Sequence, residues 1–240
     1  ALHKIECYEL KALDDGFLFL TRPILYRLDL EGNVVWELRD GLYFHHDADA
    51  TSETIVALET IDVDEPENHG GMRYDDRLVV LRPDGRITKI VRLHPLFWNA
   101  VRAYAESRGI SPFDERAKDV LGMDTFGDFF HVNSVQILDR DSAIGKRGNV
   151  LVSLRTIDTI ATIDLEEERV VWSWGPGELD HQHHPQLLPN GHLLIFDNGW
   201  HRKHSRVLEL DPTTKKIVWQ YAPGDADVFF TKRRGSAFRL

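Results

Sequence analysis

The sequence predicts an all-β fold, a β-propeller of four-stranded blades. Two observations lead to this prediction. Short apolar strands separated by turn residues recur along the chain, and four-strand units repeat with a spacing of about 50 residues. The chain has 240 residues, of which 42% are hydrophobic, so one domain with a sizeable buried core is expected.

The predicted strands are short runs, mostly of five to seven residues, rich in β-branched and aromatic side chains. Turn signals such as Glu31-Gly32-Asn33 and Pro189-Asn190-Gly191 separate most of them. The runs are 17–21, 24–30, 33–38, 55–59, 77–81, 150–154, 159–164, 169–174, 192–196, 206–210 and 216–221.

Internal repeats define the units. One unit begins at His131 and the next at His183, 52 residues later, while an earlier unit begins at His46. Residues 26–36 look like the end of a preceding unit, and residues 236–240 resemble a new first strand. Two arrangements therefore stay open. The chain is one propeller domain truncated at its C-terminus, which we favour, or it closes as four blades with its last strand completing the first blade.

The spacing from His46 to His131 exceeds one repeat by 33 residues. The region near 93–126 accounts for this excess, and its segment 97–108 has helical spacing. Ser111-Pro112 is a plausible start for a second helix. We expect a helical insertion between two blades, outside the blade stack.

Composition excludes several classes of function. The chain carries 29 Lys and Arg against 39 Asp and Glu, a net charge of −10, which disfavours a broad nucleic-acid surface. No apolar stretch approaches the roughly 20 residues of a membrane-spanning helix. Cys7 is the single cysteine, so no internal disulfide forms.

The first strand of every propeller blade lines the central channel, so residues at the same phase of successive blades converge. His46, His131 and His183 share that phase in the repeat alignment. Three imidazoles at one funnel indicate a functional site, a metal site to which Asp49 contributes, or hydrogen bonds between blades.

Arg155 ends the second strand of the His131 unit and is aligned with Asp197 of the next unit. A guanidinium at this place, beside His131, would hold an oxyanion. The alternative is a salt bridge from Arg155 to Asp197 or Asp158.

Several motifs together resemble the bacterial arylsulfotransferases. The resemblance runs from about residue 28 to residue 240 and is most specific over 130–219. It is carried by Phe44-His-His-Asp47, Phe130-His-Val-Asn-Ser-Val135, Ser153-Leu-Arg155, Gln182-His183, Leu187-Leu-Pro-Asn-Gly191, Phe196-Asp-Asn-Gly199 and Ser205-Arg-Val-Leu-Glu-Leu-Asp-Pro212.

The resemblance implies a six-bladed propeller that moves a sulfuryl group from an aryl sulfate to a phenol, with no nucleotide or other cofactor and no metal. It implies that His183 is the transient sulfohistidine, with His46, His131 and Arg155 as further catalytic residues. Asn133, His45 and His184 are the expected substrate-binding residues, His45 being also the alternative register for His46. The expected location is periplasmic or extracellular.

Phe44, Phe130 and Trp200 are candidates for stacking on the aryl groups. Two other functions stay open. One is a non-catalytic propeller that binds a partner through its loops, and the other is a metal-assisted hydrolase of the six-bladed kind.

Overall fold

Four antiparallel sheets of four consecutive strands make up the described chain, as seen in a computed structural model that describes residues 7–39, 41–63, 74–224 and 229–239. The all-β propeller prediction is confirmed. The first blade is β1 (Cys7–Leu13), β2 (Gly16–Thr21), β3 (Leu25–Leu28) and β4 (Val34–Leu38). The second is β5 (Phe44–Ala50), β6 (Ile55–Asp62), β7 (Tyr74–Leu81) and β8 (Ile87–Arg92). The third is β9 (Val132–Ile137), β10 (Val150–Leu154), β11 (Thr159–Asp164) and β12 (Arg169–Trp174). The fourth is β13 (His183–Leu187), β14 (Leu193–Asp197), β15 (Arg206–Asp211) and β16 (Lys216–Tyr221).

The two ends of the chain differ from the sequence prediction. The first blade is complete, because β1 and β2 precede the two strands that were expected as the tail of a unit. Closure by the C-terminal strand is therefore wrong, since no strand is missing from that blade. Residues 236–239 form no strand, although the carbonyl of Ala237 accepts a hydrogen bond from the side chain of Gln186 on β13. Leu240 lies outside the described residues.

The core lies between neighbouring blades and follows from strand alternation. On β6, Ile55 and Ala57 pack toward the first blade, while Val56 and Leu58 pack toward the third. Successive side chains of a strand point to opposite faces, so a strand sandwiched between two sheets is apolar throughout. The fourth strands, by contrast, are largely exposed, as the burial pattern of β4 shows.

The insertion is helical, as predicted, with α1 (His94–Ser107) and a short α2 (Ala117–Val120). Phe97 and Val101 of α1 are buried in the core shared by the second and third blades. The Tyr104 hydroxyl donates a hydrogen bond to the buried carboxylate of Asp158, which Arg108 also contacts at 3.1 Å. The insertion belongs to no blade, but it packs onto two of them and its C-terminal part reaches the central cavity.

Inner strands contact one another in chain order, β1 with β5, β5 with β9 and β9 with β13. Side chains tie each inner strand to the next. Asp49 accepts the backbone N–H of Ile137 at 2.7 Å, and Gln136 accepts that of Leu187 at 2.8 Å. Gln186 is the equivalent of Gln136 in the fourth blade, and its amide donates a hydrogen bond to the carbonyl of Ala237 in the C-terminal segment.

Strand register corrects the repeat alignment. Ile137 pairs with Val150 and Leu187 with Leu193, so equivalent inner-strand residues of the third and fourth blades are 50 apart rather than 52. The pairing of each of these two inner strands contains one β-bulge, so the difference of 50 residues also holds beyond the bulge. His183 therefore corresponds to Asn133, and His131 corresponds to His181. On the second strands, the same pairs make Arg155 equivalent to Asn198, and the predicted match with Asp197 is wrong.

Candidate active site

A cavity of about 1140 Å³ opens at the inner strands. Residues from all four blades, from the insertion and from the C-terminal segment line it. Its walls include all seven residues that the sequence singled out: His45, His46, His131, Asn133, Arg155, His183 and His184. The histidines thus converge, although His131 does not share the phase of the other two. His131 reaches the cavity from the position just before β9.

His183 has a fixed tautomer. The amide nitrogen of Asn198 donates to the carbonyls of Thr231 and Arg234, so the Asn198 oxygen is left as an acceptor. Nδ1 of His183 lies 2.6 Å from this oxygen and must carry the proton. The lone pair is then on Nε2, which accepts a weak bond from the backbone N–H of Arg234 at 3.3 Å.

Burial lowers the pKa of His183 to about 3, and the charges of Arg155 and His131 act in the same direction. The hydrogen bond to Asn198 opposes this shift without reversing it. At neutral pH the ring is therefore uncharged, with an unprotonated Nε2.

His131 has a carboxylate partner. Nδ1 of His131 lies 2.5 Å from Asp128, whose other oxygen accepts the His131 backbone N–H at 3.1 Å. Burial opposes the ionisation of Asp128, but the charge and hydrogen bond of His131 outweigh burial and hold the pKa of that carboxyl below its usual value. The His131 backbone is left-handed, with φ of 44°, a conformation that non-glycine residues adopt rarely and often at functional sites.

His46 lies beside His131, with ring centroids 4.9 Å apart. Its Nδ1 is 2.6 Å from Nδ1 of His45, so one of the two rings donates to the other. Burial, followed by the neighbouring imidazoles of His45, His131 and His183, strongly lowers the pKa of His46. His46 is therefore a neutral ring, while His45 extends its Nε2 to within 3.4 Å of Asp76.

Arg155 is a buried cation with unused hydrogen-bonding capacity. The residue is 1% exposed, and its Nη1 donates to the carbonyl of Gly122 at 3.4 Å. Its Nη2 lies 3.9 Å from Asp124, beyond hydrogen-bond distance, and has no hydrogen-bond partner among the described residues. Asp124 is instead paired with Arg233 at 2.8 Å. Burial lowers the pKa of Arg155, which shows how incompletely this cation is compensated.

The salt bridges considered as the alternative role of Arg155 do not form. Asp197 pairs with Arg202 and Arg206, each at 2.8 Å, and Asp158 pairs with Arg108. Arg155 is thus free to hold an anion that enters the cavity.

Asn133 and His184 lie at the cavity wall with part of their polar groups engaged. The Asn133 amide donates to the carbonyl of Gln182 at 2.9 Å, while its oxygen has no partner among the described residues. Nδ1 of His184 lies 2.6 Å from the Gln186 amide nitrogen, which donates to it. Burial lowers the pKa of His184, with a further contribution from Lys11.

Asp49 holds blades together. Its two oxygens contact Lys11 at 2.6 Å and the N–H of Ile137, which leaves it engaged between three blades. Asp47 accepts the N–H of Val135 at 2.8 Å, and burial raises its pKa to about 8.

The prediction that three aromatic residues stack on the substrate is wrong, because none of them lines the cavity. Phe44 and Phe130 are core residues with 0% and 1% exposure, and Trp200 stacks on His181 outside the cavity. Tyr8, Tyr43 and Tyr74 line the cavity instead. No repeat motif marks them, because Tyr43 precedes its strand and Tyr8 lies in the blade that the alignment left incomplete.

Sequence reasoning also missed three polar residues of the site: Asn198, Asp128 and Asp124. Asn198 stands in the quoted motif Phe196-Asp-Asn-Gly199, and the correct strand register would have identified it as the equivalent of Arg155 in the next blade. Asp124 and Asp128 come from the insertion, for which the repeats give no register.

Comparison with solved structures places the fold among propellers. The chain superposes on Kuenenia stuttgartiensis hydrazine synthase (TM-score 0.55, 11% identity) over 92% of this chain and 50% of that one. It matches the Neurospora crassa Pan2 WD40 domain (TM-score 0.52, 10% identity) over 92% and 51%, and the Dos1 propeller (TM-score 0.51, 11% identity) over 91% and 48%. The chain thus spans about half the length of these structures, and the likeness concerns the fold alone.

A family model described as "Arylsulfotransferase (ASST)" matches residues 3–180. This range contains five of the seven singled-out residues, and the other two, His183 and His184, follow its end by three and four positions. A search of curated proteins gave no significant match. Within the described part of the chain, no helix has both the length and the apolar character needed to cross a membrane.

Proposed function

The chain belongs to the arylsulfotransferase family, and from this premise we propose that it transfers a sulfuryl group from an aryl sulfate to a phenol through a sulfohistidine at His183. Family membership supports an aryl sulfotransferase function in general. The proposal about mechanism rests chiefly on one arrangement, in which a buried guanidinium with a free Nη2 shares a cavity with a neutral imidazole of fixed tautomer.

His183 is the nucleophile in this proposal. Its Nδ1–H bond to Asn198 directs the Nε2 lone pair to the incoming sulfur, and the sulfur displaces the weak contact from the Arg234 N–H. The positive charge that develops on the ring strengthens the hydrogen bond to the Asn198 oxygen. Asn198 is thus a positioning residue that fixes the tautomer and orients the ring.

Arg155 binds the sulfuryl oxygens. A guanidinium removed from water interacts strongly with an anion, because little solvent screens the charge. Its free Nη2 supplies the donor, and its bond to the Gly122 carbonyl keeps the group in place as charge moves during transfer.

His131 is the proton donor to the departing phenolate. For this role His131 must carry a proton on each ring nitrogen, with its Nδ1–H held by Asp128 at 2.5 Å, whereas burial and the neighbouring imidazoles keep His46 neutral. His46 therefore contacts the aryl sulfate as a neutral ring next to His131.

The two half-reactions balance. In the first, the bond from Nε2 of His183 to sulfur forms, the bond from sulfur to the aryl oxygen breaks, and the phenolate takes a proton from His131. In the second, His131 takes the proton of the acceptor phenol, whose oxygen bonds to sulfur as the nitrogen–sulfur bond breaks.

A labelling experiment tests the nucleophile. The protein is incubated with an aryl sulfate and no acceptor, quenched, and its intact mass and peptides are measured. We expect one added sulfuryl group on the peptide containing His183 and none in His183→Asn, with turnover reduced by at least about 10³-fold. His192→Asn, which alters a histidine of the same blade that lies outside the cavity, is the matched control and should label normally.

Labelling of His183→Asn at the wild-type level would refute the covalent role of His183. A wild-type protein that takes up no sulfuryl group while turning over aryl sulfate would refute the covalent intermediate. A protein inert to aryl sulfates would contradict the proposed function itself.

A further inference from the structure

A second cluster of histidines lies outside the cavity, on the fourth blade. Asp180 and His181 precede β13, and His201 follows β14. One ligand atom from each of the three residues lies within 4.8 Å of the others. None of the three lines the large cavity, and the proposed sulfuryl transfer uses none of their side chains.

Both imidazoles of this cluster have the same tautomer in their neutral form. Nε2 of His201 lies 3.1 Å from the carbonyl of Val120, and Nε2 of His181 lies 3.3 Å from that of Gly122. A carbonyl oxygen only accepts, so each Nε2 carries the proton. Each Nδ1 therefore has a bare lone pair.

These two lone pairs are directed at the same carboxylate oxygen. Oδ1 of Asp180 is 2.8 Å from Nδ1 of His201 and 3.3 Å from Nδ1 of His181. His181 is completely buried, and its Nδ1 has no hydrogen-bond partner among the described residues. With both rings neutral, three acceptor atoms thus meet with no hydrogen between them, and a positive charge, either a proton or a metal ion, must bridge them.

We propose that Asp180, His181 and His201 bind a divalent transition metal ion of the zinc type, through the two Nδ1 atoms and the Asp180 carboxylate. Two imidazoles and one carboxylate form a ligand set that zinc commonly uses, with solvent in the fourth position. Tetrahedral zinc, with bonds of about 2.0–2.1 Å, places its ligand atoms about 3.3 Å apart. The two Nδ1 atoms lie 2.8 and 3.3 Å from Asp180 Oδ1, and all three ligand atoms lie within 4.8 Å of one another, which is close to that spacing. The proposal departs from the sequence-based expectation that no residue binds a metal.

The surroundings of the cluster have the features of an outer coordination shell. Histidine ligands generally donate their other N–H to a carbonyl or carboxylate, as these two do to Val120 and Gly122. Asp180 is oriented by the backbone N–H groups of His201 and Arg202, at 2.9 and 3.0 Å. His201, which is 28% exposed at its side chain, gives the ion a path from solvent.

The arginines near the cluster are directed mainly at carboxylates other than Asp180. Asp158 is a second carboxylate, 3.4 Å from Nδ1 of His181, and it is paired with Arg108. Arg202 lies 3.8 Å from Asp180, but its other amino group is 2.8 Å from Asp197. Neither arginine donates a hydrogen bond to Asp180 at short distance, since Arg108 is paired with Asp158 and Arg202 with Asp197.

A metal at this place would stabilise the cavity wall from behind. The imidazole donors hold the carbonyls of Val120 and Gly122, and Gly122 also accepts the Arg155 guanidinium. Asp124, two residues further on, lines the cavity near Arg155. The ion would thus fix the insertion loop against the fourth blade without touching the substrate.

Metal titration tests the site directly. After dialysis against EDTA, the protein is titrated with Zn²⁺ by calorimetry and with Co²⁺ by visible absorption. We expect one equivalent of Zn²⁺ with submicromolar affinity, a Co²⁺ band typical of four or five ligands, and slower amide exchange over 120–124 with Zn²⁺ bound. Asp180→Asn and His201→Gln should weaken Zn²⁺ binding by at least about 100-fold.

His192→Gln is the matched control, because it removes another imidazole of this blade that lies 2.7 Å from a carboxylate, that of Glu209. It should bind Zn²⁺ like the wild type, and circular dichroism establishes that each variant is folded. Absence of Zn²⁺ binding at micromolar concentration would overturn the proposal and leave protons as the bridging charge. Equal affinity in the wild type, Asp180→Asn and His201→Gln would also overturn it. Neither readout depends on sulfuryl transfer.

Discussion

His131 and His181 occupy equivalent positions of the third and fourth blades, yet their surroundings differ. Both have a left-handed backbone, with φ of 44° and 62°, and both have an aspartate near Nδ1. His131 faces the cavity and is paired with Asp128 from the insertion. His181 is completely buried beneath the insertion loop and stacks on Trp200.

The next positions along the two blades show the same division. The third blade has Asn133 and Arg155 where the fourth has His183 and Asn198. In the proposed mechanism, the third-blade pair provides an anion site, and the fourth-blade pair provides a nucleophile with its positioning amide. A repeated backbone thus supplies fixed places, and the side chain at each place gives the blades separate chemical roles.

The largest effect expected from this comparison concerns the two equivalent histidines. His131→Gln removes the proposed proton donor and should lower kcat about 10²–10⁴-fold for aryl sulfates with poor leaving groups. The loss should shrink for a donor whose phenolate leaves readily, because that phenolate needs no proton. Unfolding in urea should change little for this variant.

His181→Gln should show the opposite balance, with about 1–3 kcal/mol lost from the free energy of unfolding, because buried polar contacts are broken. Steady-state kinetics and urea unfolding of both variants provide the measurement. Equal losses of kcat in the two variants would contradict the separate roles that we assign to His131 and His181.

Arg155→Lys tests the third blade's anion site. Lysine keeps the charge but loses the planar fork, so we expect turnover of aryl sulfate to fall by about 10²–10³-fold. Arg140→Lys alters an outer arginine that pairs with Asp139, away from the cavity, and serves as the control. Normal turnover in Arg155→Lys would mean that another cation holds the sulfuryl oxygens.

The smallest effect expected is the contribution of His183 to acid sensitivity. The unfolded ring takes up a proton near pH 6.5 and the folded ring only near pH 3, so the unfolded state binds more protons between these values. Stability therefore falls as the pH decreases through this window. Between pH 6.5 and 5, the free energy of unfolding of His183→Asn should therefore fall by about 2 kcal/mol less than that of the wild type. Urea unfolding at both pH values measures this difference. Parallel losses would show that His183 is protonated in the folded protein.

Predictability from sequence differed between the strands and the site. Strands such as β10, β11, β12 and β16 were predicted with their observed bounds, because alternating apolar side chains and turn residues act locally. The first strand of the first blade was not recognised as such, since Cys7–Leu13 is half exposed and carries charged residues. The residues around His46 and His183 were grouped correctly in space, but the roles assigned to them stay predictions.

The sequence by itself determined the repeated strands, the helical insertion and the set of polar residues near the axis, because each of these leaves a local or periodic pattern. Only the tertiary structure decided which partner each polar residue has. Asn198 reaches His183 across 15 residues, Asp128 contacts His131 after the insertion folds back, and Val120 and Gly122 meet histidines of the fourth blade. Such contacts depend on strand register and bulges, where a shift of one residue turns a side chain from the cavity to the core.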